Sequence, residues 1–124
     1  MKDPSNPVCR TISTLLSRIG DKWTVLVVST LAGGPRRFNE LRREIPSVSQ
    51  RMLTLTLRNL ERDGLVSRTV TPTIPPRVDY ELTGLGHSLQ KPISALADWA
   101  LANVAAIHEA QARFDREHDK REAA

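Results

Sequence analysis

A mainly α chain with a small β wing is the fold class this sequence predicts, on three observations. The 124 residues are 40% hydrophobic but only 4% aromatic, so one modest core must be filled by Leu, Val, Ile and Ala, which suits packed helices. Apolar residues recur at three- and four-residue spacings through most of the chain, which is the helical period. The run from Arg36 to Thr83 departs from that period for two short alternating segments separated by a proline-rich loop. Two short helices, a strand, a braced loop and a second strand are the order of a winged helix-turn-helix.

Each element has its own signal. Asn6 before Pro7 reads as a cap with proline in the first turn, and Val8, Ile12, Leu15, Leu16 and Ile19 form one apolar stripe until Gly20 stops the helix. Asp21 caps a second helix carrying Trp23, Leu26, Val27 and Leu31, although its VLVV run has strand propensity; Gly33, Gly34 and Pro35 end it. Phe38, Leu41 and Ile45 mark a short third helix closed by Pro46, and PSVS is the turn. Ser47 with Gln50 spells a capping box for a fourth helix, QRMLTLTLRNLERD, whose buried seam is Leu53, Leu57 and Leu60. Gly64 supplies the left-handed residue at its end.

LVSRTV and RVDYELT are the wing strands. In the second, Val78, Tyr80 and Leu82 alternate with Arg77, Asp79 and Glu81, giving one packed face and one wet face. Three prolines stiffen the TPTIPP loop between them. After Thr83, a stripe of Leu85, Leu89, Ile93, Leu96, Ala100 and Ile107 defines one long C-terminal helix with a kink expected at Pro92 and Trp99 off the stripe. The mixed-charge end RFDREHDKREAA either frays or extends that helix. The expected organisation is a single winged helix DNA-binding domain over 1–124, with N-terminal helices at about 7–33, helix-turn-helix and wing at 36–83, a C-terminal dimerisation helix at 84–112 and a polar tail at 113–124.

Charge is unevenly placed. Of 18 basic and 14 acidic side chains, eight arginines and four acids fall between positions 36 and 68, which leaves ten of each elsewhere. The whole net charge of +4 therefore resides in the helix-turn-helix segment. A local cationic excess on such a segment points to double-stranded DNA as the partner. On the fourth helix the inward leucines leave Gln50, Arg51, Thr54 and Arg58 on the outer face as candidate base readers. Ser49, Arg58, Arg36 and Arg37 are candidate phosphate contacts, and Arg77 is the candidate wing contact.

Other function classes find no support. No apolar stretch reaches the length of a membrane span, and MKDPSNPV lacks the apolar core of an export signal, so the expected place is the cytoplasm, on the nucleoid when DNA is bound. A single cysteine cannot form an internal disulfide. Glycine-rich phosphate loops, metal-spaced Cys/His clusters and paired carboxylates are missing, and His87, His108 and His118 read as solvated, so neither enzyme activity, nor a cofactor, nor a metal is expected. The alternative is a winged helix that docks proteins without specific DNA readout, because fold alone does not fix function.

The blocks IGDKW (Ile19 to Trp23), GPRRFNELRREI (Gly34 to Ile45), SQRMLTLTLRNLERDGLVSRTV (Ser49 to Val70) and PPRVDYELTGLG (Pro75 to Gly86) carry a resemblance. They resemble the HxlR-type winged helix regulators of the MarR-like superfamily. The resemblance covers the chain from Cys9 to about Trp99 and implies a homodimeric, DNA-binding transcriptional regulator whose terminal helices form the dimer interface. The apolar stripes agree, placing Val8, Ile12, Leu15, Leu16, Leu89, Ile93, Leu96 and Trp99 at that interface. Many relatives carry two glycines before Lys-Trp where this chain has Gly20-Asp21, and Cys-Pro where it has Cys9-Arg10. Cys9 falls in the first turn of a helix beside Arg10, where amides, dipole and cation favour a thiolate, so it is a candidate redox or electrophile sensor. Some members of the family sense through such a cysteine, which makes an oxidant or small-molecule effector a further expected partner. The other reading of Cys9 is a small buried hydrophobe packing near Ile12.

Overall fold

The computed structural model describes residues 6–123, with side chains described through residue 119; the export-signal reading of the first residues and the last residue of the tail lie outside this range. Nine elements follow one another: α1 (Pro7–Ile19), α2 (Lys22–Leu31), β1 (Arg36–Arg37), α3 (Phe38–Glu44), α4 (Gln50–Arg62), β2 (Val66–Thr71), β3 (Arg77–Leu82), α5 (Gly84–Ser88) and α6 (Gln90–Ala123). The chain divides after Gln90 into two compact units.

In the first unit, local chemistry sets the helix ends. The Asn6 side chain accepts from the Val8 amide at 2.8 Å, and Asp21 does the same for Trp23 at 2.8 Å, so α1 and α2 both start on side-chain caps. Gly20 ends α1 in ordinary right-handed geometry, φ −78°, rather than the left-handed conformation expected of a stopping glycine. The Asp21 cap sets the boundary instead, because its extended backbone cannot continue α1. The VLVV run is helical despite its strand propensity, since Val27 and Val28 are almost completely buried there and packing outweighs intrinsic preference. Ile45 leaves helical geometry immediately before Pro46, whose ring disfavours it there.

The capping box anticipated at Ser47 does not form, and α4 starts two residues later on a simple serine cap, because the residue three after Ser49 is Met52, which has no carboxylate or amide to return the bond. Ser49 is the cap of α4, and its Oγ accepts from the Met52 amide at 3.0 Å. Val48 explains the shift: it is buried, so the turn must still be non-helical at that point to aim it inward. At the other end Gly64 adopts φ +76°, the Leu65 amide reaches the Leu60 carbonyl at 2.9 Å, and the Gly64 amide reaches Glu61 at 3.1 Å. These two bonds are a complete Schellman motif, with Leu60 and Leu65 both buried behind it.

The sheet has three strands in the order β1-β3-β2, all antiparallel. Sequence periodicity missed β1, because two residues carry no alternation to detect. The core lies where α2, α3 and α4 meet the sheet: Val27, Val28, Leu31, Leu41, Leu53, Leu57, Leu60, Val66 and Leu82 are each at most 4% exposed. Thr56 is also buried, and its hydroxyl donates to the Met52 carbonyl at 2.8 Å; among the described residues no buried side-chain polar atom lacks a partner.

The C-terminal part corrects two expectations. Thr83 caps a separate five-residue helix, α5, and the break falls at Leu89 rather than as a kink at Pro92. Pro92 sits in the first turn of α6, where its missing N–H is unneeded and its ring blocks the carbonyl four residues earlier from extending α5 through it. The mixed-charge tail is helical through Ala123, supported by an Arg113–Glu109 pair at 3.5 Å and by Phe114 stacked on His118 at 3.7 Å.

Candidate nucleic-acid interface

α3, the Ile45-to-Ser49 turn and α4 form the helix-turn-helix, and β2 with β3 form the wing. Because Leu53, Thr56, Leu57 and Leu60 fill the inner face of α4, the helical period turns Arg51, Thr54, Leu55 and Arg58 outward, and all four are exposed. Gln50 and Ser49 are exposed at its N-terminus. Gln50, Arg51, Thr54, Leu55 and Arg58 line one shallow groove of about 580 Å³. Of these, Leu55 escaped the sequence reading, which put Leu53, Leu57 and Leu60 in the buried seam and gave Leu55 no role; its signal was the offset from Leu53 and Leu57, which points it the other way.

The acids that could have neutralised these arginines are engaged elsewhere. Glu61 faces Arg68 at 3.9 Å, Asp79 pairs with Arg77 at 2.9 Å, and Glu40 accepts from the Arg37 backbone amide at 3.0 Å. Among the described residues no ion pair joins Arg51, Arg58 or the exposed Arg37. Their charge therefore stays available to an anionic partner.

Arg36 is placed differently from Arg37. Its Nε donates to both carboxylate oxygens of Glu44, at 3.0 and 3.2 Å, and its Nη1 donates to the carbonyls of Gly34 and Pro35 at 3.0 Å. With its donors turned into the loop that ends α2, Arg36 acts as a brace for that loop, and Arg37 is the cation presented at the head of α3. On the wing, Asp79 takes only the Nε of Arg77, so the half-exposed guanidinium is held in place with its outer nitrogens outward. Ile74 is fully exposed at the loop between the strands. Arg37, Arg43 and Arg77 line opposite walls of an open groove of about 1040 Å³ between α3 and the wing.

The C-terminal end of α4 is held by residues outside it. Thr83 donates to the Gly64 carbonyl at 2.6 Å while its own amide reaches Leu65 at 3.0 Å, which ties the end of β3 to the turn after α4. The Arg18 guanidinium on α1 pairs with Asp63 at the C-terminal end of α4, with both side chains mostly buried. Cys9 on α1 is buried. Val8, Leu15, Leu16, Leu96 and Trp99 are exposed, Ile12 and Leu89 are half-buried, and Ile93 is buried.

A helix-turn-helix carrying unneutralised arginines on its outer face, followed by a β wing that presents a half-exposed Arg77, defines a winged helix DNA-binding protein. Residues 18–108 match the family described as HxlR-like helix-turn-helix. The chain belongs to the HxlR-like helix-turn-helix family, whose members are DNA-binding transcriptional regulators and not enzymes. It is 48% identical over 88 residues to an uncharacterised HTH-type transcriptional regulator of Methanothermobacter thermautotrophicus, covering 71% of this chain and 67% of that one. Among solved structures it resembles the redox regulator HypR in its reduced form, with a TM-score of 0.71, 39% identity, and 80% and 98% of the two chains covered. It also resembles a MarR-family transcriptional regulator from Enterococcus faecalis V583, with a TM-score of 0.68, 33% identity, and 88% and 99% covered.

Proposed function

We propose that this transcriptional regulator binds a specific DNA operator as a homodimer, with α4 in the major groove and the wing on the neighbouring backbone. The observation that carries the reading is the outer face of α4, where Gln50, Arg51, Thr54 and Arg58 stand exposed and no ion pair among the described residues neutralises Arg51 or Arg58. Arg51 lies in the first turn, and its planar fork matches the two acceptors of guanine; Gln50 and Thr54 suit adenine and thymine edges. Ser49, Arg58, Arg37 and Arg77 position phosphates, with Arg36 supporting from behind. The exposed apolar residues of α1 and α6 are the dimer surface, and the complex resides on the cytoplasmic nucleoid. Arg51→Ala is expected to weaken operator binding by about 1 to 3 kcal/mol and to relax preference at one base position. Arg77→Ala is expected to weaken all sequences alike. Gel shifts across a salt titration decide it: parental affinity in both variants would remove this DNA face.

Cys9 is the proposed entry point for an oxidant or electrophile signal. The likeness to a redox regulator supports this, and burial of the thiol means that reaction requires a local opening of α1. Mass spectrometry after mild peroxide or quinone, with parallel gel shifts, tests it. No adduct and unchanged DNA binding would leave Cys9 as a packed hydrophobe.

A further inference from the structure

We propose that Leu55 is an apolar base reader, seated against the 5-methyl group of a thymine in the major groove. The inference rests on the reading that the outer face of α4 meets DNA, and it assigns that face a residue of a different chemistry from its polar ones. Leu53, Leu57 and Leu60 are at most 2% exposed, whereas Leu55 is 49% exposed on the same helix. Its position is about 40° around the helix from Arg51 and about 60° from Arg58. All three line the same shallow groove, together with Gln50 and Thr54. Two arginines that no ion pair joins among the described residues flank the leucine, so the occupant of this groove must be anionic and yet offer an apolar contact.

Double-stranded DNA meets both demands at one place. The base edges in the major groove present hydrogen-bonding groups, with one apolar substituent among them, the thymine methyl. A leucine between two phosphate- or guanine-directed arginines is therefore matched to thymine, and it disfavours cytosine, whose exposed amino group would lose its water against a side chain that cannot accept a hydrogen bond.

The test starts from a duplex selected by the parent chain from a random-sequence library. That duplex is resynthesised with each thymine in turn replaced by deoxyuridine, which removes the methyl and nothing else. At one thymine under α4, the replacement is expected to weaken the parent about three- to tenfold, while Leu55→Ala binds the thymine and uracil duplexes equally and unfolds at the parental temperature. A flat uracil scan for the parent, a selected site with no thymine under α4, or an L55A variant that keeps the parental uracil penalty would each overturn the assignment. The parental scan needs no variant to fold. Arg51→Ala and Arg58→Ala run alongside separate the two readings. If they lose affinity while the scan is flat, only the role of Leu55 falls; if they bind as the parent does, the DNA face of α4 falls with it.

Discussion

Gly84 and Gly86 flank a single leucine in the TGLG motif and are indistinguishable by sequence, yet the fold treats them oppositely. A Cβ on Gly86 would run into the backbone carbonyl of Leu65 and press on Leu82, whereas a Cβ on Gly84 would meet nothing within 4 Å. Gly86 is the point where α5 touches the chain just after α4, and Thr83 caps α5 while binding the Gly64 carbonyl. Gly86→Ala is therefore expected to cost about 2 to 4 kcal/mol, because backbone must move, while Gly84→Ala should be neutral or slightly stabilising. Urea unfolding of the two variants checks the contrast, and equal midpoints would contradict the packing. This is the kind of detail that sequence reading cannot supply, since the reason for the glycine lies twenty-one residues away at Leu65. Arg36 and Arg37 teach the same lesson: adjacent and identical in type, one braces a loop through Glu44 and the other faces solvent.

At the scale of elements, those with a periodic stripe or alternation were legible, the seven-residue α3 included, and those without one were not. α1, α2, α4 and both wing strands follow from caps and periodicity; β1, the split between α5 and α6, and the true cap of α4 follow from packing, as buried Val48 and the register of Arg36 opposite Tyr80 show. That register places Tyr80 between Arg36 and Arg68 across the sheet. Burial raises the Tyr80 pKa above its ordinary value of 10.0, and nearby Glu61 raises it further, against the opposing effect of Arg68. The sign follows from linkage: the folded state holds the phenol proton more tightly, so the contribution of Tyr80 to stability is fully present below about pH 10 and is lost as pH rises through the folded pKa. Tyr80→Phe should flatten that alkaline loss. Urea midpoints at about pH 8 and about pH 11 measure it, and an equal drop in parent and variant would show that Tyr80 does not drive it.

Over the whole molecule, the net charge of +4 is confined to the segment that holds the helix-turn-helix, so each chain brings one cationic face to DNA. One such face is a modest polyanion binder. Two faces held at a fixed separation double the number of phosphates neutralised, and the dependence of affinity on salt steepens in proportion. The proposed dimer surfaces are apolar and exposed: Val8 and Leu16 on α1, and Leu96, Trp99, Ile107 and Phe114 on α6, where the apolar stripe runs beyond the reach of the sequence reading at Ile107. Replacing Leu96 and Trp99 together by Glu is expected to give a folded monomer, because both side chains are already solvent-facing within one chain. That monomer should bind the selected duplex with about half the parental slope of log affinity against log salt, and the footprint should shrink from two half-sites about one helical turn apart to one. Sedimentation and footprinting read these outcomes separately. A double variant that remains dimeric would move the interface off this face of α6, and a monomer with the parental slope would mean that a single winged helix is the DNA-binding unit.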